Sequence, residues 1–220
     1  ICNVNVFFNG IVVNTIKSSL GYYGTVFLFK RPEMSSCCNN ALFVCDCKSA
    51  TAFQDCHCRP QSCNATDGSH YTFTASANDP SMGMPTPEIT VDKAAYLVIE
   101  YKTTVKVMGE IYIGRTDGVA ISQDPGSHLE WQWEADGEWH KIIVPCDGWA
   151  DVTEAAFSQL RFDPLHAHIG ISAGDAIDLR YFAFFATEQA AKDFNLDEYH
   201  AYLAEQEKIE QEQQTLPKTE

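Results

Sequence analysis

Seven short runs of β-branched and aromatic residues dominate the middle of this 220-residue chain, at 71–74, 95–102, 105–114, 128–134, 139–144, 159–163 and 177–185. Gly, Pro, Asp and Asn separate them, so each reads as a strand bounded by turns. With 88–91 added, about eight strands fall within roughly 115 residues. No helical periodicity interrupts them. Short strands at that spacing predict an all-β fold, an antiparallel β-sandwich of jelly-roll type.

Alternation within the runs assigns faces. The segment HLEWQWEADGEWHKIIV, residues 128–144, predicts a hairpin, because Asp136-Gly137 is a type I′ turn signal in which Gly supplies the positive φ. That register pairs Trp133 with His140 and Trp131 with Ile142. Leu129, Trp131, Trp133, Ile142 and Val144 then face the core, and Glu130, Gln132, Glu134, Trp139 and Lys141 face outward. Elsewhere Leu97, Ile99 and Tyr101 alternate with Glu100 and Lys102, and Ile111 and Ile113 with Glu110 and Tyr112. Leu160 and Phe162 alternate with Gln159 and Arg161, and Leu179 and Tyr181 with Asp178 and Arg180. One outer face is therefore expected to carry charges together with Tyr112 and Trp139.

Charge and cysteine divide the chain unevenly. Residues 1–68 hold four acids and five bases, 69–194 hold 19 acids and eight bases, and 195–220 hold seven acids and two bases. Seven of the nine cysteines lie between Cys37 and Cys63. Three regions are expected: a Cys-rich N-terminal region over 1–68, a β-sandwich over 69–188, and a helical, charged tail or linker over 189–220. In the tail, Thr187 is the expected N-cap of a short helical turn through Phe194, and Asn195 with Glu198 resembles a capping box opening a second helix. Leu196, Tyr199, Tyr202, Leu203 and Ile209 form its apolar stripe, and the Gln- and Glu-rich stretch from Glu205 is expected to fray.

The formal charge of −15 excludes nucleic acid as a partner, since phosphate recognition relies on clustered Lys and Arg, and it disfavours anionic lipid. No run approaches the ~20 apolar residues of a membrane span, so membrane insertion is not expected. The chain opens at Ile1 without a basic segment before an apolar core, and reads as a processed or excised piece of a longer protein.

Two C-x-C pairs, Cys45/Cys47 and Cys56/Cys58, put side chains on one face of an extended strand, where they suit bridging to a neighbour. Cys2, Cys37, Cys38, Cys45, Cys47, Cys56, Cys58 and Cys63 are thus disulfide candidates in an oxidising compartment, with Cys146 left free or intermolecular. Zinc is the alternative, kept open by His57 between cysteines, although C-x-C fits zinc spacing poorly. Asn64-Ala65-Thr66 is a glycosylation sequon.

Catalytic signatures are missing. There is no G-x-S-x-G, P-loop, dinucleotide fingerprint or H-E-x-x-H, no Cys is matched to a His as a nucleophile with its base, and no carboxylate pair stands apart as acid and base, so an enzyme is not expected. Binding is the better prospect. Trp139 and Tyr112, joined by Trp149, are candidates for a sugar platform, an aromatic face meeting the C–H side of a pyranose. Gln132, Glu134, Lys141, Arg161 and Arg180 are candidates for fixing its hydroxyls; the alternative places Trp139 under a loop or the tail helix as core. Asp79, Asp163, Asp175 and Asp178 lie at strand ends and turns where a structural Ca²⁺ could bind, though turn chemistry also explains them. His166 and His168 offer two imidazoles to a metal, or a solvated loop after Pro164.

The series YLVIEYKT (96–103), GEIYIGRTDG (109–118), ADGEWHKIIV (135–144), LRFDP (160–164) and GDAIDLRYFAFFATEQAA (174–191) resembles a β-sandwich module found in large secreted and surface-attached proteins of Gram-positive, Clostridia-like bacteria. The resemblance covers about residues 69–194 and is to carbohydrate-binding and galactose-binding-like modules. It implies a non-catalytic extracellular or cell-surface accessory module, glycan-binding, beside neighbouring domains of the same precursor; it transfers no binding residues. The terminal LPKTE is close to a sortase signal but ends in Glu220. The alternative function is a structural or assembly subunit, self-associating by strand exchange through residues 1–16 or by disulfides through Cys2 and Cys146.

Overall fold

The computed structural model describes residues 4–8, 11–15, 40–47, 58–59, 61–66, 68–75, 80–166 and 170–215. It separates into two compact units, Ile1–Ser36 and Cys37–Glu220. In the first unit, β1 (Val4–Phe8) and β2 (Ile11–Thr15) pair antiparallel, with Phe8 opposite Ile11.

The second unit is a sandwich of two antiparallel sheets. The strands are β3 (Ala41–Asp46), β4 (Cys58–Arg59), β5 (Gln61–Thr66), β6 (His70–Ala75), β7 (Ser81–Met84), β8 (Tyr96–Thr103) and β9 (Met108–Arg115). After them come β10 (His128–Gln132), β11 (His140–Pro145), β12 (Phe157–His166) and β13 (Ala176–Phe185). One sheet runs β10-β9-β12-β7-β4 and the other β11-β8-β13-β6-β5, with β3 beside the second half of β13. From β7 to β13 consecutive strands change sheet at every step except β9 to β10, the wrapping expected of a jelly roll. Between the sheets lie Phe73, Leu97, Ile99, Ile111, Ile113, Trp131, Leu160, Phe162, Phe182 and Phe184, so the inward sets read from alternation are largely met.

Several expectations are corrected. The 128–144 hairpin does not form: β10 pairs with β9 and β11 with β8, in opposite sheets. Gly137 does take a positive φ of 85°, but the turn serves a crossing between sheets, its N–H donating to the Thr103 carbonyl at 3.0 Å. The Trp133 N–H reaches the Val107 carbonyl at 3.4 Å and its indole N–H the Pro164 carbonyl at 2.7 Å. Alternation is satisfied because each strand turns the same residues inward from its own sheet. Gly109 on β9 permits this packing: a Cβ there would stand 2.5 Å from the Trp133 ring and 2.7 Å from that of Trp131.

Residues 88–91 form an isolated Thr90–Ala156 bridge and a 3₁₀ turn instead of a strand, and β7, rich in Met and Gly, went unforeseen. A bulge between Leu179 and Tyr181 breaks the alternation of β13. Leu179 stays inside, while Tyr181 emerges on the outer face.

The boundary expected at residue 68 also differs, because β3, β4 and β5 are hydrogen-bonded into the sheets. The expected disulfides are not found among the described residues. Cys45 and Cys47 do share one face of the chain around β3, but that face is the core, where both are buried as thiols, Cys47 Sγ donating to the Cys45 carbonyl at 3.8 Å. Cys146 is likewise free and buried, and burial pushes its thiol far up, which removes it as a ready intermolecular cross-link. The other candidates, Cys2, Cys37, Cys38, Cys56, Cys58 and Cys63, lie outside the described side chains, as do the Asn64 sequon, His168 and the terminal LPKTE.

The tail folds onto the sandwich. Thr187 Oγ1 accepts the Ala190 N–H and caps α1 (Glu188–Asp193), and Asn195 Oδ1 accepts the N–H groups of Asp197 and Glu198 to cap α2 (Leu196–Thr215). Ala190, Ala191, Phe194 and Leu196 pack on Val98, Tyr181, Ala183 and Phe185, the outward residues of β8 and β13. Beyond this, α2 continues as helix through the Gln- and Glu-rich stretch to Thr215, with Leu203 exposed. No helix among the described residues is long and apolar enough to cross a membrane.

Candidate functional site

The sandwich has two outer faces, and the residues expected on one face divide between them. Trp139 immediately precedes β11, in the six-stranded sheet; Tyr112 is on β9, in the other sheet. They cannot form one platform. Trp149 is fully buried in the core, its ring against Phe157 and Phe184, so it leaves the site as well. Alternation told inward from outward correctly for Trp139 and Tyr112, but could not tell which sheet each strand joins.

On the six-stranded face, Trp139 is half-buried and lies outside the cluster packed under α1 and α2. The Arg180 guanidinium is 3.9 Å from its ring centre and the Lys102 ammonium 5.3 Å, both in cation–π contact. The bulge in β13 and the pairing of Lys102 with Asp178 bring these cations forward. Each is held by an acid: Arg180 Nη1 donates to Glu100 Oε1 at 2.7 Å, and Lys102 Nζ lies 3.3 Å from Asp178 Oδ2. The Thr72 hydroxyl donates to Asp178 Oδ1 at 2.7 Å, and His70 stands edge-on to the indole at 5.6 Å. An indole with Arg180 stacked over its ring, Lys102 also over it and the carboxylates of Glu100 and Asp178 behind those cations is thereby set at the surface. Glu100 and Lys102, expected outward with the charges of this face, lie here as alternation placed them; His70 and Thr72 were not singled out, and outward alternation on β6 is the signal that places them.

Lys141, expected beside Trp139, turns to the helix instead. Its ammonium donates to the carbonyls of Lys192 at 2.8 Å and Phe194 at 2.9 Å, closing the C-terminal end of α1. Glu134 and Gln132 are exposed at the end of β10 and in the crossing that follows. There His140 lies 2.8 Å from Asp136 and 3.4 Å from Glu134. The hydrogen bond that Asp136 accepts from His140 holds the imidazole above its ordinary range and, in return, the Asp136 carboxyl below its own.

On the five-stranded face, Tyr112 is nearly covered: the His128 ring stacks on it at 4.5 Å and the Arg161 guanidinium lies 5.3 Å from its centre. Burial and a hydrogen bond to Glu110 push its phenol up to about 12. Arg161 grips Asp163 through two bonds of 2.9 and 2.6 Å. An open groove of about 510 Å³ runs beside this cluster, lined by Glu110, Gln123, His128, Glu130 and Asp147 among others.

The calcium candidates do not converge. Asp163 is buried against Arg161 on one outer face, and Asp178 is engaged by Thr72 and Lys102 on the other. Asp175 accepts the Ser172 N–H in a loop, and Asp79 lies outside the described residues. Turn chemistry and ion pairing account for the three that are described.

No family model and no curated protein matches this chain. Solved structures are similar to it at low identity. A glycoside hydrolase domain, Endo-D from Streptococcus pneumoniae R6, shares 8% identity over 61% of the chain with a TM-score of 0.45, and the chain spans only 22% of that protein's length. A low-affinity xylan binding module from Roseburia intestinalis shares 7% identity at a TM-score of 0.41, covering 60% of this chain and 87% of the other. The family 11 carbohydrate-binding module of a cellulosomal cellulase from Clostridium thermocellum shares 12% identity at 0.39, covering 61% and 85%. At such scores the chain's own residues have to carry any functional reading.

Proposed function

We infer that this chain is a non-catalytic glycan-binding module, an extracellular accessory part of a larger secreted or surface protein, with Trp139 as its platform. The supporting observation is the indole itself: half-buried on an outer sheet face and held by Arg180 and Lys102, with Glu100 and Asp178 beside it. A pyranose offers C–H groups to an aromatic face and hydroxyls to surrounding carboxylates and ammonium groups. Because the cations already order the indole, a bound sugar loses less affinity to freezing side chains. Binding by one such site is expected to be weak and to be strengthened by neighbouring modules.

Glycan-array and affinity-gel screening of the wild type and Trp139→Ala tests this. Retardation or array signal is expected for the wild type and should drop by about tenfold or more without the indole, the scale of a lost aromatic contact. A variant that keeps the wild-type binding would exclude Trp139 as the platform.

A further inference from the structure

On the opposite face, the register sets three carboxylates in one row across adjacent strands. Glu130 on β10 pairs with Glu110 on β9, and Glu110 pairs with Asp163 on β12. Like charges directly opposite one another are unfavourable, and more so when buried. Asp163 is neutralised by Arg161. Glu110 is 2% exposed, and the ion-pair partners that the described residues give it are both histidines, His128 and His166.

The distances are informative. Glu110 Oε1 lies 3.5 Å from His128 Nε2 and 3.2 Å from His166 Nε2. A protonated imidazole free to close on a carboxylate would come to about 2.8 Å. Instead His128 Nε2 is buried with no hydrogen-bond partner. For ligands held at zinc bond lengths, the edge of a coordination tetrahedron is about 3.3 Å, close to the 3.5 Å between Glu110 Oε1 and His128 Nε2. One donor atom from each of Glu110, His128 and Glu130 lies within 4.8 Å of the others. The other carboxylate oxygen is already committed, Oε2 accepting the Tyr112 hydroxyl at 2.8 Å. That bond turns Oε1 toward the imidazoles, as an outer partner orients a metal-ligating carboxylate. Tyr112 also stacks on His128 and so fixes the plane of a second donor.

We propose that Glu110, His128 and Glu130 form a binding site for a divalent transition cation, zinc by its mixed imidazole and carboxylate donors. The ion would neutralise the buried Glu110 and tie β9 to β10 beside the groove. This site is independent of the sugar platform, so Trp139→Ala leaves it intact.

The test uses the whole chain, stripped with chelator and titrated with Zn²⁺ by calorimetry and with Co²⁺ by visible absorption. The cysteines offer competing thiolate ligands, which announce themselves by a thiolate-to-cobalt charge-transfer band. The expected result is a cobalt d–d spectrum without that band, from a site whose zinc affinity falls about tenfold or more in both His128→Ala and Glu130→Gln. Glu130 is exposed, so Glu130→Gln should fold even if loss of His128 disturbs the sheet; far-UV circular dichroism checks both. Absence of a thiolate-free cobalt component, or its survival at full affinity in folded Glu130→Gln, would overturn the proposal.

Discussion

Part of the outer face of the six-stranded sheet, away from Trp139, is apolar and covered: Val98, Tyr181, Ala183 and Phe185 lie under α1, the Phe194 turn and the start of α2. The outer face of the five-stranded sheet buries Glu110 and Asp163 among Tyr112, His128, His166 and Arg161. The first face gains stability by adding a third layer of apolar packing. The second holds a polar network that is favourable only while every member is satisfied. Removing a helix contact should therefore unfold more than removing a network contact, and only the network should respond to ions.

Phe194→Ala tests the larger side of that difference. The ring is 4% exposed and contacts Tyr181 at 5.2 Å, Phe185 at 5.1 Å and Tyr199 at 5.7 Å. Its loss should cost about 3–5 kcal/mol in denaturant unfolding, the range for a buried Phe truncated to Ala. A cost under about 1 kcal/mol, the scale of a surface change, would mean that the helices are ornamental to the sheet.

Tyr112→Phe tests the smaller side. It keeps the stacked ring and removes only the hydroxyl that donates to Glu110 Oε2, leaving a buried carboxylate oxygen unpaired. About 1–3 kcal/mol should be lost. A neutral result would show that Glu110 does not depend on this hydrogen bond, and would weaken the view of the face as a closed network.

How much of this contrast was readable beforehand can be traced residue by residue. The inward set Leu97, Ile99, Ile111, Trp131, Trp133 and Val144 followed from period-two alternation alone, because a strand facing any core must obey it. Sheet membership did not follow. An Asp-Gly turn serves a hairpin or a crossing equally well, and only long-range packing of Trp133 under Pro164 and Tyr101 selects the crossing. That one ambiguity separated Trp139 from Tyr112 and hid the meeting of His128 with Glu110. Tyr181 was hidden differently: a bulge adds a residue without a sequence signature and turns the rest of β13 over. The thiols of Cys45 and Cys47 escape the sequence reading because clustering suggests bridging, whereas β3 and the residue after it bury them in the core.

The crossing from β10 to β11 joins the two faces, and its electrostatics give the smallest expected effect. His140, held up by Asp136, has a folded pKa above its ordinary value, so its contribution is complete below about pH 6.5 and fades as pH rises through the folded value. Asp136, held down by His140 and by the Glu138 N–H, contributes above its ordinary range and loses that contribution as pH falls through its depressed value. The pair is therefore intact in the window between the two folded values. Both groups are at the surface, so the effect belongs to titration and not to global stability. An NMR titration should place the His140 midpoint above 6.5 in the wild type and move it down in Asp136→Asn, leaving a residual upward pull from Glu134 and Glu138. An unchanged midpoint would break the pairing, and with it the link that sets Trp139 at the edge of one face while Trp133, from the same crossing, fills the core.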